Sequence, residues 1–136
     1  ENETRHAAIR VIDSVEWAES FLLPELEVKK KVASATVHPT CSGRHMGVDR
    51  ALDRLTGQLA EEAHRPLVST CCGFAGDRGF LHPELTASAT ADEAALVKEN
   101  PTEVHVSSNR TCEVGLERAT GEPYGSVIYL LEELTR

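Results

Sequence analysis

The residues of this chain best suited to chemistry are its four cysteines, which are Cys41, Cys71, Cys72 and Cys112. Thiolate is a soft ligand that selects iron–sulfur clusters, zinc or copper(I). The adjacent cysteines open a loop that contains Gly73 and Gly76, and such residues let backbone N–H groups approach a cluster and tune its potential. A chain of 136 residues does not need disulfides to fold, and nothing in it is typical of a secreted protein. We therefore expect reduced thiols that bind metal or carry out redox chemistry.

Each cysteine follows a short segment that the sequence predicts to be a strand. The segments are Val32–Val37, residues 66–69 and residues 103–106, in which β-branched and small apolar residues are frequent. If the strands are parallel, the loops that follow them emerge at one edge of the sheet. Four sulfurs from separate parts of the chain would then meet at one site.

Between these segments, apolar residues recur at helical spacing. The pattern predicts helices over residues 4–23, 48–63, 83–98 and 113–119, and a last helix that begins after Ser126. Alternation of helices and strands favours an α/β fold with a small parallel sheet flanked by helices, Rossmann-like in layout. The cysteines would lie at the C-terminal edge of that sheet.

Composition and charge narrow the classes of protein to consider. The net charge of −8 argues against nucleic acid as a partner, because nucleic acid binds basic surfaces. No apolar run reaches the ~20 residues of a transmembrane helix, and no signal peptide is visible. We expect residues 1–136 to form one domain in the cytoplasm, with peripheral attachment to the inner face of a membrane as an alternative.

The chain begins with Glu1 rather than Met, and a helical pattern follows almost at once. We interpret it as a piece of a longer polypeptide, with removal of a short leader as the alternative.

Three motifs together resemble the cysteine-rich CCG domain. They are residues 38–41 (HPTC), residues 71–76 (CCGFAG) and residues 109–112 (NRTC). That domain occurs in heterodisulfide reductase, in the iron–sulfur components of glycolate oxidase and of anaerobic glycerol-3-phosphate dehydrogenase, and in fused FAD and iron–sulfur D-lactate dehydrogenase-like proteins. Residues 72–80 (CGFAGDRGF) and 111–116 (TCEVGL) are most similar to the last group.

The resemblance implies an electron-transfer module rather than an independent catalyst. An FAD domain elsewhere in the same polypeptide would oxidise a D-2-hydroxy acid such as D-lactate or glycolate, and ferredoxin-like and CCG domains would pass electrons to an acceptor. The family places a cluster, such as a 4Fe–4S cluster, or zinc on its cysteines. The implied metal ligands here are Cys41, Cys71, Cys72 and Cys112.

One position departs from the family pattern. The motif usually ends in Cys-x-x-Cys, whereas this chain has Cys112 and then Gly115. A noncubane cluster that needs five cysteines is therefore not expected. A four-ligand cluster, a zinc site, completion by a second repeat and loss of the metal all remain open.

Other residues could share in the site. His38, just before Cys41, could serve as an imidazole ligand or could be a turn residue bound to backbone. His45 and His105 are weaker candidates for ligands, and the side chain of His105 could point away from the loops. A thiol catalyst acting through Cys71 or Cys72 is a further alternative, although the sequence shows no obvious base for it.

Overall fold

The computed structural model describes residues 5–136, and the predicted helical residue Thr4 lies outside that range. Its strands are β1 (Val32–Val37), β2 (Ala60–His64), β3 (Val104–Ser107) and β4 (Tyr124–Ser126). Its helices are α1 (Ser14–Trp17), α2 (Cys41–Met46), α3 (Asp49–Leu59), α4 (Arg78–Leu81), α5 (Pro83–Glu99), α6 (Arg110–Thr120) and α7 (Val127–Thr135). A π-helical turn (Ala18–Leu22) and a 3-10 turn (Leu23–Glu25) extend α1.

The four strands form one parallel sheet in the order β2-β1-β3-β4. Parallel neighbours need crossovers, and helices supply them: α3 joins β1 to β2, α5 joins β2 to β3, and α6 joins β3 to β4. The predicted α/β class, with a small parallel sheet flanked by helices, is confirmed.

The two faces of the sheet differ in chemistry because successive strand residues point to opposite sides. Ala35, Val37 and Val106 belong to an apolar core that also contains Leu52 and Leu55 of α3. The opposite face carries buried polar residues, namely Thr36, His38, His105, Ser107 and Tyr124. It is covered by α5, which contributes buried Thr86, Thr90 and Glu93.

Several predicted elements agree closely with the structure. Strand β1 has the predicted bounds, β3 is shifted by one residue, and α5 extends the predicted helix 83–98 by one. Ser126 caps α7 by accepting a hydrogen bond from the Ile128 N–H. Helix α6 begins earlier than residue 113, because Asn109 caps it by accepting from the Thr111 N–H.

The prediction for the second strand was wrong. Residues 66–69 form no strand, whereas Ala60–His64, expected to end a helix, pairs with β1. The sequence there is Ala-Glu-Glu-Ala-His, which favours helix by propensity. Hydrogen bonding of its backbone to β1 outweighs that preference.

Three smaller differences concern local capping and short elements. The first predicted helix is interrupted, because residues 9–13 are not helical and a helix begins at Ser14, where the Asp13 side chain accepts a hydrogen bond from the Val15 N–H. Strand β4 and helix α4 were not predicted, and both span four residues or fewer. Of the helices in residues 5–136, none combines the length and apolar character needed to cross a bilayer.

Candidate metal centre

The candidate site lies at the carboxyl ends of β1 and β3, where the direction of the chain across the sheet changes. From β1 the chain crosses to β2 on one side, and it then returns to β3 on the other side. Ligand sites of open α/β sheets form at such a switch point. Cys41 is the first residue of α2 after β1, and Cys112 lies in the first turn of α6 after β3.

Cys72 and Cys112 form a buried pair at this edge. Their sulfur atoms are 2.7 Å apart, and both are free thiols rather than a disulfide. Two sulfurs this close cannot both carry a full negative charge, so they share one proton. The hydrogen bond from Cys112 is the main cause that lowers the pKa of Cys72 to about 6. The same contact raises the pKa of Cys112 far above its ordinary value.

Cys41 and Cys71 lie beside this pair and are exposed. A hydrogen bond from the Gly73 N–H favours the Cys71 thiolate, but burial and the neighbouring Cys41 sulfur raise the pKa of Cys71 overall. The pKa of Cys112 is raised mainly by Cys72 and by burial, and the nearby sulfurs of Cys41 and Cys71 raise it further. All four sulfurs therefore share one electrostatic neighbourhood.

A hydrogen bond holds the helix of Cys41 against the segment that leads to Cys71. The Arg44 guanidinium of α2 donates to the backbone carbonyl of Ser69 and, at 2.8 Å, to its hydroxyl. Ser69 is itself buried, so the contact is fixed. Two stretches of chain that are distant in sequence are joined in this way.

The loop after Cys72 needs a backbone that few residues can adopt. Gly73, Ala75 and Gly76 all have positive φ values, of 66°, 47° and 73°. At Gly73 a Cβ atom would lie 2.7 Å from the Cβ of Ala89 and 2.9 Å from the carbonyl oxygen of Leu85, so only glycine fits against α5. The sulfurs of Cys71 and Cys72 are thus placed by close packing of the loop on a helix.

Packing is also tight at Gly115, where the family pattern has a fifth cysteine. A Cβ atom on Gly115 would lie 3.0 Å from Thr86 Cγ2 and 3.3 Å from the ring of Phe74. Phe74 is fully buried, and it packs with Cys72 and Cys112. The chain therefore supplies four sulfurs, and a fifth at position 115 would require Thr86 and Phe74 to shift.

A histidine and a glutamate that adjoin the sulfurs form a buried dyad. His38 Nδ1 lies 2.8 and 3.0 Å from the two carboxylate oxygens of Glu93. The side chain of His38 is wholly buried, and that of Glu93 is 3% exposed. His38 Nε2 has no hydrogen-bond partner. His38 is therefore not a turn residue held through its ring by backbone, which was one interpretation of the sequence.

The dyad belongs to the polar layer between the sheet and α5. The rings of His105 and Tyr124 lie 5.1 Å apart in this layer, and both His105 nitrogens and the Tyr124 hydroxyl lack partners. Burial lowers the pKa of His105 and, together with the charge of Glu93, raises that of Tyr124. His105 thus points into the layer under α5, whereas His45 is an exposed residue of α2.

Glu93, the carboxylate of the dyad, was not predicted from the sequence. It is far from His38 along the chain, and its helix has acidic residues on other faces as well. A signal was present in Thr86, Thr90 and Glu93, because their spacing makes a polar stripe on one face of α5. Such a stripe indicates that the helix covers polar groups.

The sulfurs form two pairs rather than a closed cage. Across residues 5–136, no three His, Cys, Asp or Glu side chains already stand in a group that could hold a metal ion. The role of Cys41, Cys71, Cys72 and Cys112 as metal ligands stays a prediction. In donor chemistry, four thiols with one thiolate at neutral pH suit iron or zinc.

Comparison with known proteins gives one match. The model of a family described as CCG, cysteine-rich domain, matches residues 35–117. This range starts within β1 and ends within α6, so it contains all four cysteines and the dyad. No curated protein and no solved structure shows significant similarity to the chain.

Proposed function

The chain belongs to the CCG cysteine-rich domain family, and from this premise we propose that it carries an iron–sulfur cluster and serves as an electron-transfer module. The proposed ligands are Cys41, Cys71, Cys72 and Cys112. The observation that carries the proposal is that four thiols share one neighbourhood at the switch point of the sheet.

The thiolate of Cys72 favours binding of a metal cation at this site. Cys72 is largely ionised at neutral pH, because the Cys112 thiol lowers its pKa to about 6. A cation would displace the proton shared by the two sulfurs and bring the exposed Cys41 and Cys71 toward them. The loop beside Cys72 offers the Gly73 N–H, which already lies 3.4 Å from the Cys71 sulfur. A bound cluster supplies one-electron chemistry there.

The parent activity rests on family likeness. We propose an FAD-linked oxidoreductase of a D-2-hydroxy acid, such as D-lactate or glycolate. The partners are then flavin and ferredoxin-like domains of the same polypeptide, in the cytoplasm or at the inner face of a membrane. The chain itself needs no catalytic residue in this role.

Anaerobic reconstitution with ferrous iron and sulfide tests the proposal. The loaded chain is expected to be brown, to contain iron and sulfide in equal amounts, and to give an EPR signal on reduction. Cys72→Ser and Cys112→Ser should lose the cluster, whereas Thr70→Ser, an exposed change beside the loop, should keep it. A colourless, iron-free product would overturn the proposal.

The parent activity is tested by electron delivery. The loaded chain is mixed with a flavoenzyme that oxidises D-lactate, and cluster absorbance is followed after D-lactate is added. Bleaching with D-lactate and none with L-lactate supports the assignment. Absence of bleaching with an active flavoenzyme contradicts it.

A structural zinc site is the alternative, because four sulfur donors match the tetrahedral preference of zinc and Gly115 supplies no fifth sulfur. It predicts one zinc per chain by elemental analysis and a fall in melting temperature on chelation. Zinc-free protein of unchanged melting temperature removes this alternative.

A further inference from the structure

The Nε2 atom of His38 is a buried nitrogen with no hydrogen-bond partner among residues 5–136. The Glu93 carboxylate is the partner of Nδ1, at 2.8 and 3.0 Å, and a carboxylate only accepts hydrogen bonds. In the neutral form of the ring, the proton is therefore held at Nδ1 and Nε2 carries a lone pair. A buried polar atom without a partner is costly, so its retention in a wholly buried side chain points to an absent partner.

The backbone fixes this ring at the edge where the cysteines gather. The His38 N–H donates to the Val106 carbonyl at 2.9 Å, and the Ser107 hydroxyl donates to the His38 carbonyl at 2.9 Å. His38 thus stands at the carboxyl end of β1, just before Cys41 starts α2. The ring also lies within electrostatic range of the Cys72 sulfur.

We propose that His38 Nε2 is a nitrogen donor to the metal centre of the cysteines, and that Glu93 is the positioning residue that holds its tautomer. This inference rests on the proposed function, and it names a donor that is not a cysteine. It gives a further donor to a chain that has four cysteines and glycine at position 115.

The chemistry of the dyad matches this role. Imidazole binds both zinc and iron. A histidine that binds metal through one nitrogen commonly donates its other N–H to a carboxylate, which fixes the ring and raises its basicity. Replacement of thiolate by imidazole also raises the reduction potential of a cluster.

Isotope labelling tests the inference on the unaltered protein. The 136-residue chain is grown with 15N-histidine and loaded anaerobically with ferrous iron and sulfide, and the reduced cluster is studied by pulsed EPR. If zinc is the metal retained, X-ray absorption counts sulfur and imidazole donors instead. One strongly coupled imidazole nitrogen is expected, and coordination by sulfur alone would overturn the inference.

Two variants assign the nitrogen to its residue. His38→Gln should lose the nitrogen signal, whereas His45→Gln, an exposed change in the helix of Cys41, should keep it. A signal that persists in His38→Gln contradicts the inference. Because His38→Gln strands a buried carboxylate and can fail to fold, His38→Gln/Glu93→Gln is the second form of the same test.

The positioning role of Glu93 has its own readout. Glu93→Gln keeps an oxygen that accepts from Nδ1 but removes the charge. We expect the nitrogen signal to remain while metal affinity falls about 10–100-fold. Unchanged affinity would remove Glu93 from the proposal. Loading with sulfur ligands alone refutes this inference and leaves the proposed function intact, whereas failure to load any metal refutes both.

Discussion

At the scale of residues, the site is defined by an asymmetry between two thiols of the same type. Cys72 and Cys112 are both buried, yet the pKa of Cys72 falls to about 6 while that of Cys112 rises. The difference arises because the two sulfurs, 2.7 Å apart, share one proton in a hydrogen bond. Burial alone would have raised the pKa of both groups.

A pH titration of the metal-free chain tests this asymmetry. We expect ultraviolet thiolate absorbance to appear with a midpoint near pH 6 rather than near the ordinary value of 9.0. In Cys112→Ala the midpoint should move upward, because the donor that stabilises the thiolate is lost. Cys41→Ala should leave it in place. The stabilisation from the Cys72 thiolate is complete above its unfolded pKa, and it is lost as pH falls through about 6.

At this scale the reactive residues could be predicted from the sequence, but their partners could not. The adjacent cysteines and their glycines form a local pattern, and that pattern is visible in the chain. The partner of His38 is Glu93 on α5, and only the folded chain brings them together. The helical spacing of polar residues could show the polar stripe of α5. It could not show which strand residue contacts that stripe.

At the scale of elements, predictions hold where local propensity and tertiary pairing agree. They agree in β1, where small and β-branched residues form a central strand with the predicted bounds. They disagree in β2, where helix-forming residues pair with β1 because the chain must return parallel to it. Cys72 still lies near Cys112, although the strand predicted just before it is absent, because a loop after β2 carries it there.

A pair of glycine substitutions measures how much the loop relies on its contact with α5. Gly73→Ala adds a left-handed residue, at about 1–2 kcal/mol, and an overpacked Cβ, at about 1–3 kcal/mol. Gly76→Ala has the same backbone requirement but meets nothing within 4 Å. Denaturant unfolding should therefore show the larger loss for Gly73→Ala. Equal losses would mean that packing against α5 contributes nothing.

At the scale of the whole molecule, a sheet with two unlike faces organises the fold. The apolar face holds the core with α3 and α7, and the polar face is where α5 meets the dyad. The fold class was predictable because strands and helices alternate along the chain. The difference between the faces could have been read from the alternation of Thr36 and His38 with Ala35 and Val37, once β1 was known to be central.

The apolar face should carry most of the stability. Leu55 of α3 is 0% exposed and belongs to the core between that helix and the sheet. Leu55→Ala should therefore lower the free energy of unfolding by about 2–5 kcal/mol. Leu67 is 98% exposed, and Leu67→Ala should change it by less than about 0.5 kcal/mol. Thermal or urea unfolding of the metal-free chain measures both. Similar values for the two variants would contradict the assignment of the core.

The tight packing at Gly115 also bears on how this centre can change through descent. A mutation to cysteine there would push against Thr86 and Phe74 before its sulfur could reach a metal. A fifth sulfur at this position therefore requires those two side chains to move by a few tenths of an ångström. Whether such a ligand can be gained therefore depends on how far α5 and the loop of Phe74 can yield.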